Sequence, residues 1–575
     1  MLITIDVNNN KLRAEKGETI LDALNRNGIK IPTLCRLKDL TPTGACRICV
    51  VEVEGEDMLV TACSEPVREW MKIRTHSPRV IKSRKAIVEL LLAGHPDNCL
   101  YCDRNLSCEL QRIASELNIR ERRVSSKKIS PGVDVSSPAI TREPAKCILC
   151  GRCVRICEEV VMVNTLDFIG RGRDTHIGTT MDKDFNFSSC IHCGQCVNVC
   201  PTGALHEKYN IAEVQDYLVK DEMLKVIQYS PLVASAVAGE MGIKYSPTFD
   251  KRLNEALVRL GFDRVYTTGF GADIMISELA EQLCTNKDSG SPVTVYSSHC
   301  PAWVKYAEQF MPDSLPELSG LKSSRQITGA VIKALVPERE DLKPEQLYSV
   351  AVTTCTAAKY ESRRDDMTRK GISDIETVLT VRELVQLIRL YGIDIEKLEG
   401  RHADEPFNHG SSVSALTEVS GGLTESVIRH IAQKHDLKLP AADLRKLKPG
   451  AGFRELKISI AGRDYHFAVV DGLAGLGKLK TDMPSGKNSG GYDMVEVMAC
   501  RSGCVNGGGM NNRGTDEELK ERVRTLTRTE GQSAIHLPAD SPAWRNFYEK
   551  WLPDSSELSD KKAFRNNYTE KKVLL

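Results

Sequence analysis

The stretch that decides the fold of the middle of this chain is CIHCGQCVNVCP, residues 190–201, whose spacing repeats that of CILCGRCVRIC at residues 147–157. Each copy places four cysteines as C-x2-C-x2-C-x3-C. Runs of this spacing hold [4Fe–4S] clusters, and when two runs occur together the fourth cysteine of each binds the other cluster. The expected ligand sets are Cys147, Cys150, Cys153 with Cys200, and Cys190, Cys193, Cys196 with Cys157. The duplication predicts a domain for two clusters over residues 139–209.

The composition of the whole chain favours a cytoplasmic protein of several domains. It has 575 residues, of which 41% are hydrophobic and 27% are charged, and a formal net charge of +1. A near-neutral chain offers no broad positive field for nucleic acid, no apolar run reaches the ~18–20 residues of a membrane span, and residues 1–30 do not resemble a secretory signal. Without secretion, 20 cysteines at clustered spacings indicate metal sites rather than disulfides.

Four cysteines belong to a small N-terminal sheet with one helix, predicted over residues 1–78. The predicted elements are a hairpin around an Asn-rich turn, a helix that stops at Gly28 and a further strand, at residues 2–14, 17–28 and 49–55. The cysteines on their loops are Cys35, Cys46, Cys49 and Cys63. One close pair with two outlying thiols suits a [2Fe–2S] cluster, which takes four thiolates from a loop wrapped around it. A zinc site is the alternative.

A further group of ligands is predicted within residues 79–118, after a helix at 81–93. The segment HPDNCLYCDRNLSC, residues 95–108, offers His95, Cys99, Cys102 and Cys108. One histidine and three cysteines also form a common structural zinc set, so the spacing alone leaves zinc and iron–sulfur open. Residues 109–140 are rich in Lys, Arg and Ser and are interpreted as a connector that runs over the surface.

The composition changes from about residue 220, where apolar strand-like runs alternate with helical stretches through to residue 575. This alternation predicts an α/β domain with parallel sheets. Several runs end at a cysteine, and the candidate ligands are Cys300, Cys355, Cys500 and Cys504. Gly507–Gly509 allow close backbone approach to a bulky group. Cys284 lacks such a context and is interpreted as an ordinary helix thiol.

Three of these loops resemble the signature loops of the [FeFe]-hydrogenases, and the likeness covers essentially the whole chain. They are SSHCPAW at 297–303, TTCTAAKYE at 353–361 and EVMACRSGCVNGGG at 496–509. The resemblance implies a multidomain α/β protein with β-grasp ferredoxin-like and bacterial-ferredoxin-like cluster domains before a large hydrogenase domain. It also implies an H-cluster, in which the four candidate cysteines hold a [4Fe–4S] cubane and Cys504 bridges to a diiron unit with CO and cyanide ligands. The same resemblance assigns residues 95–108 to a [4Fe–4S] cluster with a histidine ligand.

The expected cofactors are therefore one [2Fe–2S] cluster, three accessory [4Fe–4S] clusters and the H-cluster. Maturation proteins would insert the diiron unit. The glycine stretch GLAGLGK at 472–478 is not interpreted as a nucleotide site, because no acidic residue follows at the spacing of the dinucleotide fingerprint.

The residues around the expected diiron unit depart from the family. His299 stands where the family has the cysteine of the first proton relay, and the outer carboxylate steps fall at Leu279 and Gln282. Neither side chain can lose and regain a proton at operating pH. Ser319 is retained. The usual proton path is therefore predicted to be broken.

Contacts to the diiron ligands are also expected to change. Ala358 replaces the lysine that would bind a cyanide, and Lys359 lies one residue further on. Thr353 and Thr354 replace Met and Pro, and Leu232 removes another cyanide contact. The residues expected to act at the site are His299, Ser319, Lys359 and Met498, with Ser230 and Pro231 at the cofactor. We expect a retuned or different diiron site.

Three hypotheses remain for His299: a substitute proton relay, a ligand or hydrogen-bond donor to an altered cofactor, or a steric plug. The expected activity is interconversion of H2 with protons and electrons, slow or biased. The alternatives are an H2 or redox sensor and an oxidoreductase for another substrate. With no flavin or nicotinamide site evident, the electron partner is expected to be ferredoxin or a flavoprotein subunit that oxidises NAD(P)H.

Overall fold

The computed structural model describes residues 1–126, 132–290, 293–408, 410–450, 452–481, 491–511, 516–531, 534–555 and 557–572. Four regions follow one another along the chain: an N-terminal sheet, a pair of helices, a cysteine-rich segment with short strands, and a large α/β region. The mixed α/β, multidomain architecture expected from the sequence is confirmed. Within the described ranges, no helix combines the length and apolar character needed to cross a bilayer.

The N-terminal region is a five-stranded sheet with one helix packed on it. Its strands, in spatial order, are Asn10–Glu15, Leu2–Val7, Lys72–Arg74, Val50–Val53 and Val60–Thr61. The first two form the predicted hairpin, where Asn8 and Asn9 have φ values of 52° and 68°, a left-handed conformation that asparagine tolerates. The helix Ile20–Arg26 begins after Thr19, whose hydroxyl accepts a hydrogen bond from the Asp22 N–H. Its apolar face completes the core of the sheet.

Two helices, Pro78–Ala93 and Glu109–Glu116, flank the segment that begins at His95. The second helix occupies the start of the predicted surface connector, so that prediction was wrong for this part. Leu110 and Ile113 are buried in one core with Val88 of the first helix, and their three-residue spacing is a helical signal that the surrounding charged residues obscured. Residues 127–131 of the connector lie outside the described part of the chain.

The cysteine-rich segment repeats one local structure around each C-x2-C-x2-C run. A short helix begins within each run, one residue before its third cysteine, at Arg152–Arg155 and Gln195–Val199. Gly151 and Gly194 precede these helices with φ values of 74° and 71°, which glycine adopts without steric cost. Two antiparallel pairs frame the repeats: Ile140–Arg142 with Leu205–Glu207, and Asp167–Ile169 with His176–Gly178.

The large region contains two four-stranded sheets, and most of their pairings are parallel. The first sheet is wholly parallel, in the order Arg264–Thr267, Leu224–Tyr229, Leu347–Thr353 and Thr377–Thr380. The second has the order Val295–Tyr296, Met494–Met498, Arg463–Asp471 and Phe453–Ile460, with an antiparallel last pair. A small antiparallel pair joins Thr368–Arg369 to Ile372–Ser373.

Helices pack around both sheets and bury two large apolar cores between them. They are Ile211–Leu218, Pro231–Glu240, Pro247–Arg259, Gly269–Asp288, Pro301–Phe310, Ser324–Arg339, Ala357–Glu361, Val381–Leu390, Gly422–Gln433, Ala441–Leu444, Leu476–Thr481, Asp516–Gly531, Pro542–Asn546 and Leu552–Asp554. Ligand sites in parallel α/β sheets lie beyond the carboxyl ends of the strands. Cys355 and Cys500 both follow such ends, after Leu347–Thr353 and Met494–Met498.

Candidate iron–sulfur sites and active site

The two cysteine runs are interleaved in space as their spacing predicts. One cavity is lined by Cys147, Cys150, Cys153 and Cys200, and a second by Cys157, Cys190, Cys193 and Cys196. Each cavity thus takes its fourth thiol from the other run. Both are otherwise lined mainly by apolar side chains, an environment that suits a buried cluster.

The two N-terminal sites also bring their predicted side chains together. In the first, the Cys35 thiol contacts those of Cys46 and Cys63, and the Cys49 thiol contacts that of Cys63. The second is a cavity whose lining includes His95, Cys99, Cys102 and Cys108. Its histidine follows the helix Pro78–Ala93, while Cys108 precedes the helix Glu109–Glu116. The two helices thus fix both ends of the loop that carries the four side chains.

The electrostatics of these thiols fit metal clusters. Burial raises the pKa of the Cys150 thiol to about 12 and that of Cys190 to about 11. Burial and the charges of neighbouring thiols also raise the pKa of Cys153. Several buried thiolates in one cavity are costly without a cation, because each charge is desolvated and repels the others. Iron in a cluster removes that cost by binding the thiolates directly.

Replacing His95 tests the histidine set on its own. In His95→Ala, we expect one accessory cluster to change its EPR spectrum and reduction potential while the others keep theirs, because imidazole and thiolate differ in charge as ligands. Anaerobic EPR-monitored redox titration measures both quantities. His206→Ala is the matched control, since His206 lies nearby and its two ring nitrogens contact the carboxylates of Asp103 and Glu143. Unchanged spectra and potentials in His95→Ala would contradict its assignment as a ligand.

The expected cubane site is a buried cavity at the centre of the large region. Its lining includes Cys300, Cys355, Cys500 and Cys504, supplied by the three signature loops. Cys300 precedes the helix Pro301–Phe310 and Cys504 opens a single 3-10 turn. Burial raises the pKa of Cys355 to about 11 and also raises the pKa of Cys300. The four thiols therefore resemble the accessory sites in both convergence and electrostatics.

The cubane cavity touches the neighbouring cluster cavity through one residue. Cys193 lines both cavities. Gln195, two residues later, donates hydrogen bonds from Nε2 to the Cys500 sulfur at 3.3 Å and to the Asn506 carbonyl oxygen at 2.7 Å. A hydrogen bond to a ligand sulfur influences the potential of a cluster. The cysteine-rich segment is thus joined to the large region at the site itself.

The predicted close approach at Gly507–Gly509 is an approach between loops. A Cβ on Gly507 would lie 2.1 Å from the Thr354 carbonyl oxygen, and a Cβ on Gly508 would lie 2.4 Å from the Cys193 carbonyl oxygen. The Thr354 hydroxyl also donates to the Cys504 carbonyl oxygen at 3.0 Å. The glycines therefore let three cysteine-bearing loops pack together. Gly507 in addition lines the cavity.

His299 lies in the wall of the cubane cavity, as does Met498. Its side chain is buried, and within the part of the chain that the structure describes neither ring nitrogen has a hydrogen-bond partner. Burial, with a smaller effect of Arg325, lowers the pKa of His299 to about 3. The ring is therefore neutral at neutral pH, where one nitrogen donates a proton and the other accepts one.

Of the other relay positions, Ser319 lies beside the residue that precedes His299 and is not part of the cavity lining. The Ser319 hydroxyl lies 2.5 Å from the hydroxyl of Ser298, the residue before His299. Ser298 in turn donates to the Leu321 carbonyl oxygen, which also accepts from the Tyr568 hydroxyl. By contrast, Leu279 is buried in the apolar core. The retained serine thus belongs to a hydroxyl cluster formed by the buried Ser298 and Ser319 and the partly buried Tyr568.

The structure places Lys359 away from the cavity wall, contrary to the role expected for it. Its ammonium group lies 2.7 Å from the Glu383 carboxylate and donates to the Lys208 carbonyl oxygen, with both charged side chains fully buried. Successive residues of a helix point about 100° apart, so a lysine one position after Ala358 faces another direction. Ala358 packs in the core that contains Cys300 and Cys355.

Ser230 is the N-cap of the helix Pro231–Glu240, and Pro231 is the first residue of that helix. Neither belongs to the described lining of the cubane cavity. The Ser230 hydroxyl accepts the Val233 N–H and also hydrogen-bonds the side chain of Glu418. Glu418 is a residue that sequence reasoning missed. Burial raises the pKa of its carboxyl, and burial together with the negative charge of Glu418 raises the pKa of Cys504. A single carboxylate in the small-residue run SSVSALTEVSGG, residues 411–422, is the signal that could have drawn attention to it.

Arg325 is the second missed residue, and it lines the cubane cavity beside His299. It lies in the first turn of the helix Ser324–Arg339. A cation in the first turn opposes the helix dipole, and the same helix buries one further charged side chain, Lys333. Because an arginine is unfavourable in the first turn of a helix, its presence there could have indicated from the sequence that a negative group in the folded protein pairs with it.

Four known families match consecutive parts of the chain. Residues 224–508 match the family described as iron only hydrogenase large subunit, C-terminal domain. Residues 1–78 match a 2Fe-2S iron-sulfur cluster binding domain, and residues 84–123 match the NADH-ubiquinone oxidoreductase-G iron-sulfur binding region. Residues 137–206 match the ferredoxin-like domain of NADH-quinone oxidoreductase subunit 3. The chain therefore combines 2Fe–2S and 4Fe–4S cluster domains with a hydrogenase domain.

Characterised relatives extend the likeness over nearly the whole length. The chain is 32% identical over 566 residues to the NADP-reducing hydrogenase subunit HndD of Solidesulfovibrio fructosivorans, covering 96% of each chain. It is 34% identical over 514 residues to iron hydrogenase 1 of Clostridium pasteurianum, covering 88% of each. An [FeFe]-hydrogenase solved in a study of stepwise H-cluster assembly aligns with a TM-score of 0.54 and 26% identity over 63% of this chain and 99% of that one. The convergent cysteines of the three signature loops and this near full-length likeness show that the chain belongs to the [FeFe]-hydrogenase family.

Proposed function

We propose that this protein is an [FeFe]-hydrogenase-type subunit that interconverts H2 with protons and electrons at an H-cluster. The observation that carries the proposal is the buried cavity lined by Cys300, Cys355, Cys500 and Cys504, which shares Cys193 with the adjacent thiol cavity. When bound, the diiron unit supplies the chemistry of H2 and the iron–sulfur clusters supply electron transfer. The cysteines would hold the cubane, and Cys504 would also hold the diiron unit.

The protein residues around the cavity have separate tasks in this proposal. His299 holds a proton on one ring nitrogen and accepts one on the other, next to the hydroxyl cluster of Ser298, Ser319 and Tyr568. Met498 and Ala358 supply apolar surface that limits access of water. With Leu279 in the apolar core, the route beyond His299 lacks the usual acid. We expect turnover to be slow or biased in direction for this reason.

Infrared spectroscopy combined with a turnover assay tests the function. Protein co-expressed with maturation proteins is expected to show CO and cyanide stretching bands and to reduce a dye with H2.

The second candidate function, an oxidoreductase for another substrate or a redox sensor, is favoured by the polar residues His299, Arg325 and Glu418 at the site. Bands without H2-dependent dye reduction would support this second candidate. Absence of the bands would overturn the hydrogenase proposal.

The electron partner is proposed from the domains and relatives. The N-terminal domains are of the type found in NADH-quinone oxidoreductases, and one relative is named as a subunit of an NADP-reducing hydrogenase. We therefore propose ferredoxin or a flavoprotein NAD(P)H-oxidising subunit as the donor or acceptor. Reduction of the purified chain by NADPH only in the presence of such a flavoprotein would distinguish the two.

The iron content checks the proposed cofactor set. One [2Fe–2S] cluster, three accessory [4Fe–4S] clusters and the cubane require about 18 irons per chain, and the diiron unit raises this to about 20. All cysteines except Cys284 would bind iron. Cys284→Ser is the control. Cys284 lies in the helix Gly269–Asp288, and its thiol is 3.9 Å from the Tyr465 hydroxyl, away from the cluster cavities. This substitution should leave the iron content unchanged. Stoichiometric zinc with far less iron would contradict the cofactor set.

A further inference from the structure

The cavity needs a positive charge if it is to hold a diiron unit with cyanide ligands. Cyanide bound to iron is an anionic acceptor, and a buried anion is stable only with a charged or polar donor beside it. The position expected to supply a cation carries Ala358, and Lys359 is committed to Glu383. The cation must therefore come from another element of the cavity wall.

Arg325 is a buried cation in that wall. It is 5% exposed and lines the same cavity as His299 and the four cysteines. Its positive charge acts on the thiols of Cys355, Cys504 and Cys300. Arg325 reaches the cavity from the helix Ser324–Arg339, whereas Ala358 lies in the short helix Ala357–Glu361.

Only part of the guanidinium group is used by the protein. Nη2 donates to the Glu361 carboxylate at 3.0 Å, in a pair whose side chains are 6% and 5% exposed. No acceptor for Nε or Nη1 is found among the residues that the structure describes. Arginine carries five N–H donors in a planar fork, so a guanidinium fixed through one nitrogen still has donors for a second acceptor.

We propose that Arg325 holds the anionic ligands of the diiron unit in place of the missing lysine, and that Glu361 positions it. The inference rests on the proposed function, since it assigns a residue to the cofactor of that same site. Glu361 ends the short helix Ala357–Glu361 that follows Cys355. The ion pair therefore holds the guanidinium against the second signature loop, where Ala358 stands in place of the expected lysine. The helix Ser324–Arg339 thus supplies the positive charge that this loop lacks.

The exchange has a physical consequence for the cofactor. An arginine is always charged and donates from a rigid plane, whereas a lysine is a compact charge on a flexible stem. A cyanide held by a guanidinium therefore meets a donor with fixed orientation. Its stretching frequency reports the hydrogen bond directly and is independent of turnover.

The test compares four forms of the full-length chain co-expressed with maturation proteins: the parent, Arg325→Gln, Ala358→Lys and the double variant. Infrared spectra give the cyanide band positions, and iron analysis gives the diiron occupancy per cubane. We expect Arg325→Gln to shift the cyanide bands and to lower diiron occupancy about tenfold, equivalent to about 1.4 kcal/mol. Adding Ala358→Lys to it should restore most of the occupancy, because the charge returns from the neighbouring loop.

Arg364→Gln is the matched control for loss of a buried arginine. Arg364 is paired with Glu308 at 2.8 Å, outside the cavity lining, and its removal should leave the cyanide bands in place. If the parent shows cyanide bands and Arg325→Gln has the same band positions and the same diiron occupancy, the inference is overturned while the proposed function stands. Equal losses in Arg364→Gln, or no recovery in the double variant, would also overturn it. A parent without any bands would overturn the inference together with the diiron part of the proposed function.

Discussion

His299→Ala is expected to lower H2 turnover by about a hundredfold or more while leaving the clusters and any CO and cyanide bands in place. Loss of a positioned acid–base group typically costs about 10²–10⁴ in rate, and His299 is the titratable side chain with unpartnered nitrogens in the described cavity wall. H2-dependent dye reduction and infrared spectra of the same samples measure the two effects separately.

A second buried histidine provides the control. His430 is also buried, neither of its ring nitrogens has a partner in the described structure, and burial lowers its pKa to about 4. It packs against Trp544, with ring centroids 6.0 Å apart, and does not line the cavity. His430→Ala should therefore cost stability without a comparable loss of turnover. If both variants turn over H2 at the parental rate, the relay hypothesis fails and the steric plug gains support.

Restoring the usual acids should act through the same path. His299→Cys alone should recover only part of the activity lost in His299→Ala, because Leu279 and Gln282 still leave the outer route without a carboxyl group. Adding Leu279→Glu and Gln282→Glu should raise the activity further and non-additively, since relay groups act as a unit. A purely additive response would mean that the three positions do not share one proton path.

The pH dependence has a sign that the buried state of His299 determines. Its pKa is lowered to about 3 by burial and by Arg325, whereas an unfolded histidine titrates near ~6.5. The unfolded chain therefore binds more protons between these values, so this residue's contribution to stability falls as the pH drops from about 6.5 towards about 3. Because His299 of the folded enzyme does not titrate near pH 6.5, the dependence of H2 turnover on pH around this value should have the same shape in the parent and in His299→Ala. A measured pH–rate profile of both proteins checks this.

Lys359→Met is expected to destabilise the folded protein by about 3–5 kcal/mol, the typical cost of leaving one charge of a buried pair unpaired. The stranded group would be Glu383, which lies 2.7 Å from the Lys359 ammonium and accepts hydrogen bonds from the Thr380 and Asn210 N–H groups. Thermal unfolding of the anaerobic holoprotein, followed by circular dichroism, should show a clearly lower midpoint. The cyanide bands should stay in place, because Lys359 does not line the cavity.

Two further variants make this result specific. Lys359→Met combined with Glu383→Gln should recover part of the lost stability, since no unpaired charge remains. Arg259→Met removes the half-exposed pair with Glu255 and should cost less than about 1 kcal/mol. A shift of the cyanide bands in Lys359→Met with unchanged stability would instead return Lys359 to the diiron site.

Some features of this protein follow from sequence spacing alone. The interleaved thiol sets required only that C-x2-C-x2-C fold into a loop and short helix, which fixes three thiols on one side of a cavity and leaves the fourth for its neighbour. The N-terminal hairpin at Asn8 and Asn9 likewise depended on local turn chemistry. These are short-range properties, because the residues concerned are neighbours along the chain. The [FeFe]-hydrogenase family was evident for the same reason, since its signature loops are continuous stretches of sequence.

The direction of single side chains was decided only by the tertiary structure. Lys359 looked like a displaced cavity lysine in the sequence, but one step along a helix turned it towards Glu383. Arg325 and Glu418 come from segments far from the signature loops, and they reach the site because two sheets and their helices fold around it. Burial and opposite charge then fix them there: a guanidinium removed from water is stable only beside an anion, and no pattern of neighbouring residues in the sequence specifies which anion that will be.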